Sequence, residues 1–320
     1  MIEKAAIRIG IAGAAGYTGG ELIRILLNHP GAEIVWLQSR SNAGKRIYEI
    51  HTDLLGETDL VFREADFANT DVLFLCMGHG ESRRYIAENK IPANVRIIDL
   101  SQDFRLDEGW IYGLPELNRD AVLAGGKNIA NPGCFATAIQ LALLPLAAEK
   151  LISGEVHVSA ITGSTGAGQS LSTSSHFSWR SNNISNYKAF EHQHLAEISR
   201  SLLLQDGQMH FIPYRGSFTR GIVATIYTPV DHEATEIIRL FEDYYTGHPF
   251  TWISKYPVDV KQVVNTNKCF LHIEKHGEML MVTAVIDNLL KGASGQAVQN
   301  MNLLTGYPEK TGLNFKPSAF

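Results

Sequence analysis

The chain has 320 residues, of which 45% are hydrophobic, with a formal net charge of −5 and three cysteines. That length suggests two domains with ordinary packed cores. The net negative charge argues against nucleic acid or an anionic membrane surface as partner. Cys76, Cys134 and Cys269 stand too far apart for a disulfide framework or a paired metal motif, a usage that suits the cytoplasm.

The opening "MIEKAAIRIGIAG" lacks the build of a secretory leader and runs straight into a strand. No apolar stretch approaches the ~20 residues of a membrane span. "AIRIGIAG" is a β-branched run, and "AAGYTGGELIRILLNHP" follows with Gly13, Gly16 and Gly19 at a turn and helix entry. "AEIVWLQ" then supplies a second strand. Strand, glycine turn, helix and strand within roughly 30 residues is the context of a dinucleotide site, where glycines admit a pyrophosphate to the helix N-terminus. The second strand ends in "LQSRSNAGKR", which offers Ser39, Arg40 and Lys45 and no carboxylate. Positive charge there suits a 2′-phosphate, so NADP(H) is the expected cofactor. "TDVLFLCMGHGES" and "VRIIDLSQDFRL" repeat the strand-to-loop pattern, with Cys76 expected in the core.

"NPGC" precedes "FATAIQLALLPLAAEK", where Ile139, Leu143 and Leu146 are spaced to bury one helical face. Pro132 and Gly133 set the helix entry, so Cys134 falls in the first turn. A thiol there meets unpaired N–H groups and the positive end of the dipole; a small buried apolar residue fits the stretch as well. Beyond it the texture changes to "GEVHVSAITGST", "QMHFIPY", "TRGIVATIYTPV", "NKCFLHIEKHGE" and "EMLMVTAVIDN", all strand-like. "EHQHLAEISRSLLL" and "HEATEIIRLFEDYY" read as helices between them, giving an α+β domain with helices on one face of its sheet. In the first of these helices His194 and Glu197 share a face, so the carboxylate can reach the imidazole; taken alone, the stretch favours the plainer reading of a polar helix start. His192 and His194 have no nearby residues to complete a metal site. "ASGQAVQNMNLLTG" is a last helix without a following strand, expected to return to the first domain. The expected division is 1–133, completed by a C-terminal helix at about 293–320, and 134–292.

Taken together, "GAAGYTG", "SRSNAGK", "LSQDFRL", "YGLPEL", "NPGC", "EHQH-x-x-E", "FIPYRGSFTRGI" and "DNLLKGASGQAVQN" resemble the N-acetyl-γ-glutamyl-phosphate reductases of arginine biosynthesis, in that family's order and over nearly the whole chain. The wider kin are the aspartate-semialdehyde and glyceraldehyde-phosphate dehydrogenases.

The resemblance implies a Rossmann-type α/β domain and an α+β catalytic and dimerisation domain. It implies Cys134 as nucleophile, His194 as acid/base and Glu197 as its orienting partner. Arg105, with Ser101 and Asn131, would serve the acyl-phosphate substrate. Gly13, Ala15, Gly16, Tyr17, Thr18, Gly19, Ser39, Arg40 and Gly78 would hold NADP(H), with Gly292 and Gln296 at its nicotinamide end. It further implies a homodimer or homotetramer. Tyr214 stands where relatives often carry histidine, and Gln102 replaces a usual small residue, so a longer acyl group (N-succinyl, or carrier-linked aminoadipyl) is the alternative substrate. A non-catalytic NADP-binding sensor is the alternative from another class; it asks nothing of Cys134, His194 or Glu197.

Overall fold

The structure is a computed structural model that describes residues 5–126 and 128–319. It divides into two compact units, 1–132 with 293–314, and 133–292 with 315–320, although residues 1–4, 127 and 320 lie outside the described set.

In chain order the first unit contains β1 (Ile7–Ala12), α1 (Tyr17–Leu27), β2 (Ala32–Gln38), β3 (Val72–Leu75), α2 (Glu81–Glu88), β4 (Arg96–Asp99), β5 (Ile111–Tyr112), α3 (Pro115–Ala124) and β6 (Ile129–Ala130). The second unit follows with α4 (Cys134–Ala148), β7 (Val156–Thr162), α5 (Phe177–Arg180), β8 (Ser185–Asn186), α6 (Leu195–Leu202), β9 (Met209–Arg215), β10 (Ile222–Pro229), α7 (Ala234–Tyr244), β11 (Thr251–Ser254), β12 (Cys269–His276) and β13 (Met279–Ile286). α8 (Gly295–Thr305) is grouped with the first unit. It stops at Thr305 because Gly306 takes a left-handed φ of 72°, the usual helix terminator. Residues 306–319 are irregular rather than helical.

The first sheet is parallel throughout, in the order β2-β1-β3-β4-β6-β5. Its strands read as continuous apolar runs because both faces are covered: Leu73, Phe74, Leu75, Ile9 and Ile11 are all inaccessible to solvent. The order reverses between β1 and β3, so the loops after these strands open the crevice where such sheets take ligands. Gly13 makes the first of those turns possible. Its φ is +78°, and a Cβ there would stand 2.4 Å from the Cys76 carbonyl oxygen.

The second sheet is mixed, in the order β11-β12-β13-β10-β7-β9-β8, with β7–β9 and β11–β12 parallel and the remaining pairs antiparallel. Alternation along β10 buries Ile222, Ala224 and Ile226 and leaves Tyr227 exposed. α4 packs on β10, β12 and β13, α7 on β11 and β12, and α6 on β9, so the inward side chains meet helices on one face. On the other face the rings of His157, His210 and Tyr227 stack.

Where the spacing of Ile139, Leu143 and Leu146 suggests one buried face, α4 is buried from Phe135 to Leu146 on every side. An apolar helix without a polar stripe belongs inside its unit. Pro145 removes the N–H that would bond the Leu141 carbonyl, and the buried Tyr245 hydroxyl donates to that carbonyl instead. Tyr245→Phe therefore leaves a buried acceptor unpaired, and should lower unfolding free energy by about 1–3 kcal/mol in urea denaturation.

Candidate active site

Cys134 occupies the first position of α4, after the N-cap Gly133. Gly133 has no side chain to cap that end, and no acidic residue lies in its first turn. The backbone N–H groups of that first turn and the helix dipole thus act on the thiol. Two glycines allow other groups to close on this point. A Cβ on Gly133 would lie 2.3 Å from His194 Nε2, and one on Gly292 would lie 2.8 Å from the Cys134 Cβ. His194 and Gly292 therefore sit directly against the helix entry.

His194 does not lie within its helix, as a run starting at Glu191 would have it. It is the N-cap of α6, which begins at Leu195 after a run of turns. Its own N–H donates to His192 Nδ1 at 3.2 Å. Glu197 is three residues on and 3% exposed. Its Oε1 stands 3.9 Å from His194 Nε2, an ion-pair rather than a hydrogen-bond distance, while Oε2 accepts the Gly133 N–H at 3.1 Å. One carboxylate thus serves both the imidazole and the turn that presents the thiol, a link invisible in the spacing of "EHQHLAE". Tyr187, missed in the sequence, packs edge-on to His192, whose ring is 4.5 Å from that of His194. Burial, and then the charge of the nearby Cys134, push the Tyr187 phenol up to about 12.

The other expected residues lie in the first unit. A Cβ on Gly19 would meet Ala14 at 2.7 Å, so that glycine lets the helix pack on its strand. Gly16 is different: its nearest neighbour to a Cβ is 3.8 Å away, and it caps α1 without a side chain. The bare N-terminus and the open Cβ position at Gly16 fit a phosphate group. Ala15, Tyr17 and Thr18 complete the turn, with the Thr18 carbonyl accepting the Ser294 hydroxyl. His51 supports it from the Ala14 carbonyl at 2.9 Å, a contact with no signal in the sequence.

At the end of β2, Asn42 donates to Ser39 Oγ, and exposed Arg40 stands 3.8 Å from Glu81. The carboxylate absent from the β2 loop thus arrives from α2, where it also accepts the Gly78 N–H at 3.3 Å. Arg105 is buried and donates to the carbonyls of Asn131 and Leu100, while Arg83 contacts the neighbouring Asp103 and Asp107. Ser101 bonds the buried Asp99, whose carboxyl burial pushes up. Asn131 bridges the Ala293 carbonyl and Asn300. Gln296 donates to the Gly113 carbonyl, and its buried Oε1 has no partner among the described residues. Among those residues no group of three or more His, Cys, Asp or Glu side chains could hold a metal, and no helix is long and apolar enough to cross a membrane.

Residues 8–124 match the semialdehyde dehydrogenase NAD binding domain, and residues 134–288 match the semialdehyde dehydrogenase dimerisation domain. The chain is 54% identical over 318 residues to the N-acetyl-gamma-glutamyl-phosphate reductase of Azobacteroides pseudotrichonymphae, covering 98% of this chain and 100% of the relative. It is 55% identical over 322 residues to the protein of that name from Bacteroides thetaiotaomicron, with the same coverage. Among solved structures, the Vibrio cholerae aspartate semialdehyde dehydrogenase II complexed with ASA has a TM-score of 0.75 at 17% identity, covering 95% of this chain and 99% of that one. The Candida albicans aspartate semialdehyde dehydrogenase with NADP has a TM-score of 0.70 at 16% identity, covering 94% and 99%.

The three thiols differ sharply in setting. Cys76, one residue past β3 and half-buried like Cys134 rather than in the core, has its thiol pushed up to about 12 by burial, and Cys269 is inaccessible. Iodoacetamide at neutral pH should therefore modify Cys134 first, by about tenfold or more in rate, as peptide mass mapping over a time course would read.

Proposed function

We propose, for a chain that belongs to the N-acetyl-γ-glutamyl-phosphate reductase family, that it reduces N-acetyl-γ-glutamyl phosphate to N-acetylglutamate 5-semialdehyde and phosphate in arginine biosynthesis. The observation that carries this reading is the placing of Cys134, His194 and Glu197 around one helix start, within a chain whose relatives carry that name over their full length.

His194 takes the thiol proton of Cys134, and the thiolate attacks the γ-carbonyl. The carbon–oxygen bond to phosphate breaks, and His194 returns the proton to the leaving phosphate. A thioester remains on Cys134. NADPH, when bound, supplies the hydride that reduces it. The oxyanion then collapses, the carbon–sulfur bond breaks to release the aldehyde, and the Cys134 thiolate regains a proton from solvent. Backbone N–H groups in the first turn of α4 face the oxyanion in both steps. Glu197 keeps the imidazole in place and favours its protonated form, a positioning role.

The glycine turn from Gly13 to Gly19 would hold the cofactor's pyrophosphate, and Ser39 with Arg40 its 2′-phosphate, Arg40 exchanging its weak contact with Glu81 for that group. Gly78 and Gln296 would lie along the rest of the cofactor. Arg105 would serve the substrate's phosphate, with Ser101 and Asn131 shaping the loop around it. Gly292, against the Cys134 Cβ, would keep the thiol accessible to the nicotinamide. The open sheet face and the exposed Leu171, Phe177, Trp179, Ile184 and Phe190 support assembly into a homodimer or homotetramer through the second unit. A reactive thiol nucleophile suits the reducing cytoplasm.

The test is NADP reduction with N-acetylglutamate semialdehyde and phosphate, the reverse direction. Cys134→Ser should abolish turnover and leave NADPH binding by fluorescence unchanged; substantial residual activity would end the covalent mechanism. His194→Asn should cost about 10²–10⁴-fold in kcat, with a limb lost from the pH profile, and Glu197→Gln less. Arg40→Ala should weaken NADPH far more than NADH, in Kd measurements with each; equal weakening would move the 2′-phosphate elsewhere.

A further inference from the structure

We infer that Arg215, at the end of β9, is a specificity residue that holds a carboxylate of the substrate beside Cys134. The inference rests on the reaction proposed above and deepens it. The guanidinium of Arg215 lies 4.5 Å from the centre of the Tyr187 ring. The Tyr187 ring is 5.8 Å from that of His192, which in turn lies 4.5 Å from His194. Arg215 is thus two rings away from the acid/base, and its neighbour Tyr187 feels the charge of Cys134.

Among the described residues of the second unit none neutralises this arginine. Arg180 lies next to it and donates to its carbonyl, but Arg180 is itself cationic, and its other donors go to the carbonyls of Ser174 and Asn183. Burial, and then the charge of Arg215, lower the Arg180 pKa from its ordinary value, an electrostatic record of two like charges held close together. Among the described residues neither Arg180 nor Arg215 meets a carboxylate, and Arg215 Nε is buried without a partner. Half-buried positive charge without a counterion is unfavourable in the free protein and strongly attractive to an anion.

The anion is a carboxylate by the chemistry of the reaction. The substrate's phosphate departs in the first step, whereas a carboxylate stays through both and can anchor the thioester. A guanidinium fork matches its two oxygens. Two substrate carboxylates qualify: the glutamyl α-carboxylate, and one at the far end of a longer acyl group.

Reverse-direction kinetics on Arg215→Met and Arg215→Lys separate these. The expected result is a rise of about ten- to a hundredfold in the semialdehyde KM for Arg215→Met, and a smaller one for Arg215→Lys. The KM values for NADP and phosphate, and kcat, should stay within about threefold. If the α-carboxylate is read, the α-carboxamide of N-acetylglutamate semialdehyde shows a high KM in wild type that the variants leave unchanged. If an acyl carboxylate is read, the variants affect N-succinylglutamate semialdehyde and spare the N-acetyl compound. A rise in phosphate KM instead of semialdehyde KM overturns the inference.

Alkylation of Cys134 supplies a readout that needs no turnover. The rate with anionic iodoacetate relative to neutral iodoacetamide should fall about three- to tenfold in Arg215→Met. If wild type turns over none of these semialdehydes, the proposed reaction fails and the alkylation ratio alone judges Arg215. An unchanged ratio, or unchanged KM values for both semialdehydes, overturns its role.

Discussion

The second unit is organised around one buried carboxylate. Glu197 is 3% exposed and holds the Gly133 N–H on one oxygen while its other oxygen faces His194. A buried charge without partners would be costly, so the residue is stable only where both the helix entry and the imidazole converge on it. This reverses the ordinary view of an orienting acid. The same contact that biases the base also fixes the turn from which Cys134 starts α4, and Gln140, a turn and a half further along that helix, donates to the Glu197 carbonyl. Helix α4 and helix α6 are therefore tied at the level of the backbone, and thiol and imidazole cannot drift apart without breaking the tie.

Glycine does comparable work in both units, for different reasons that the sequence pattern alone blurs. Gly13 answers a backbone demand, a positive φ against a neighbouring carbonyl. Gly19, Gly133 and Gly292 answer close approaches by Ala14, His194 and Cys134. Gly16 answers neither, since a side chain there would meet nothing of the protein nearer than 3.8 Å. Space left by a residue that the fold does not require to be small is the strongest local sign of a ligand.

Most of this architecture was legible in the sequence, and the parts that were not share a cause. Long strands such as β1, β10 and β13 carry enough periodicity to be read, and the Gly13–Gly19 turn announces itself by composition. The two-residue strands β5, β6 and β8 exist only through their neighbours' hydrogen bonds, so no local pattern marks them. The residues of "EHQH" look helical by composition, yet they form turns and the helix begins only at Leu195. Contacts between distant segments were equally hidden: Glu81 beside Arg40, Glu197 on Gly133, and Tyr187 beneath Arg215. Each depends on where a loop returns, which tertiary packing decides rather than spacing.

Charge bookkeeping within the second unit separates structural arginines from one that is left open. Arg220 meets the fully buried Asp287 at 3.0 Å, and Asp287 also accepts the N–H groups of Asn265, Leu289 and Leu290, so that pair staples the chain leading to Gly292. Arg180 is held by backbone carbonyls and secures the segment between β7 and β8. Arg220 thus has an acid and Arg180 a set of carbonyls, both supplied by the fold that contains them. Among the described residues Arg215 has an aromatic ring below it and no acid beside it. A fold that gives Arg220 a buried carboxylate could have placed one by Arg215 as well. Leaving it uncompensated is what a site for an anionic ligand requires, because a resident counterion would compete with the ligand for the same donors.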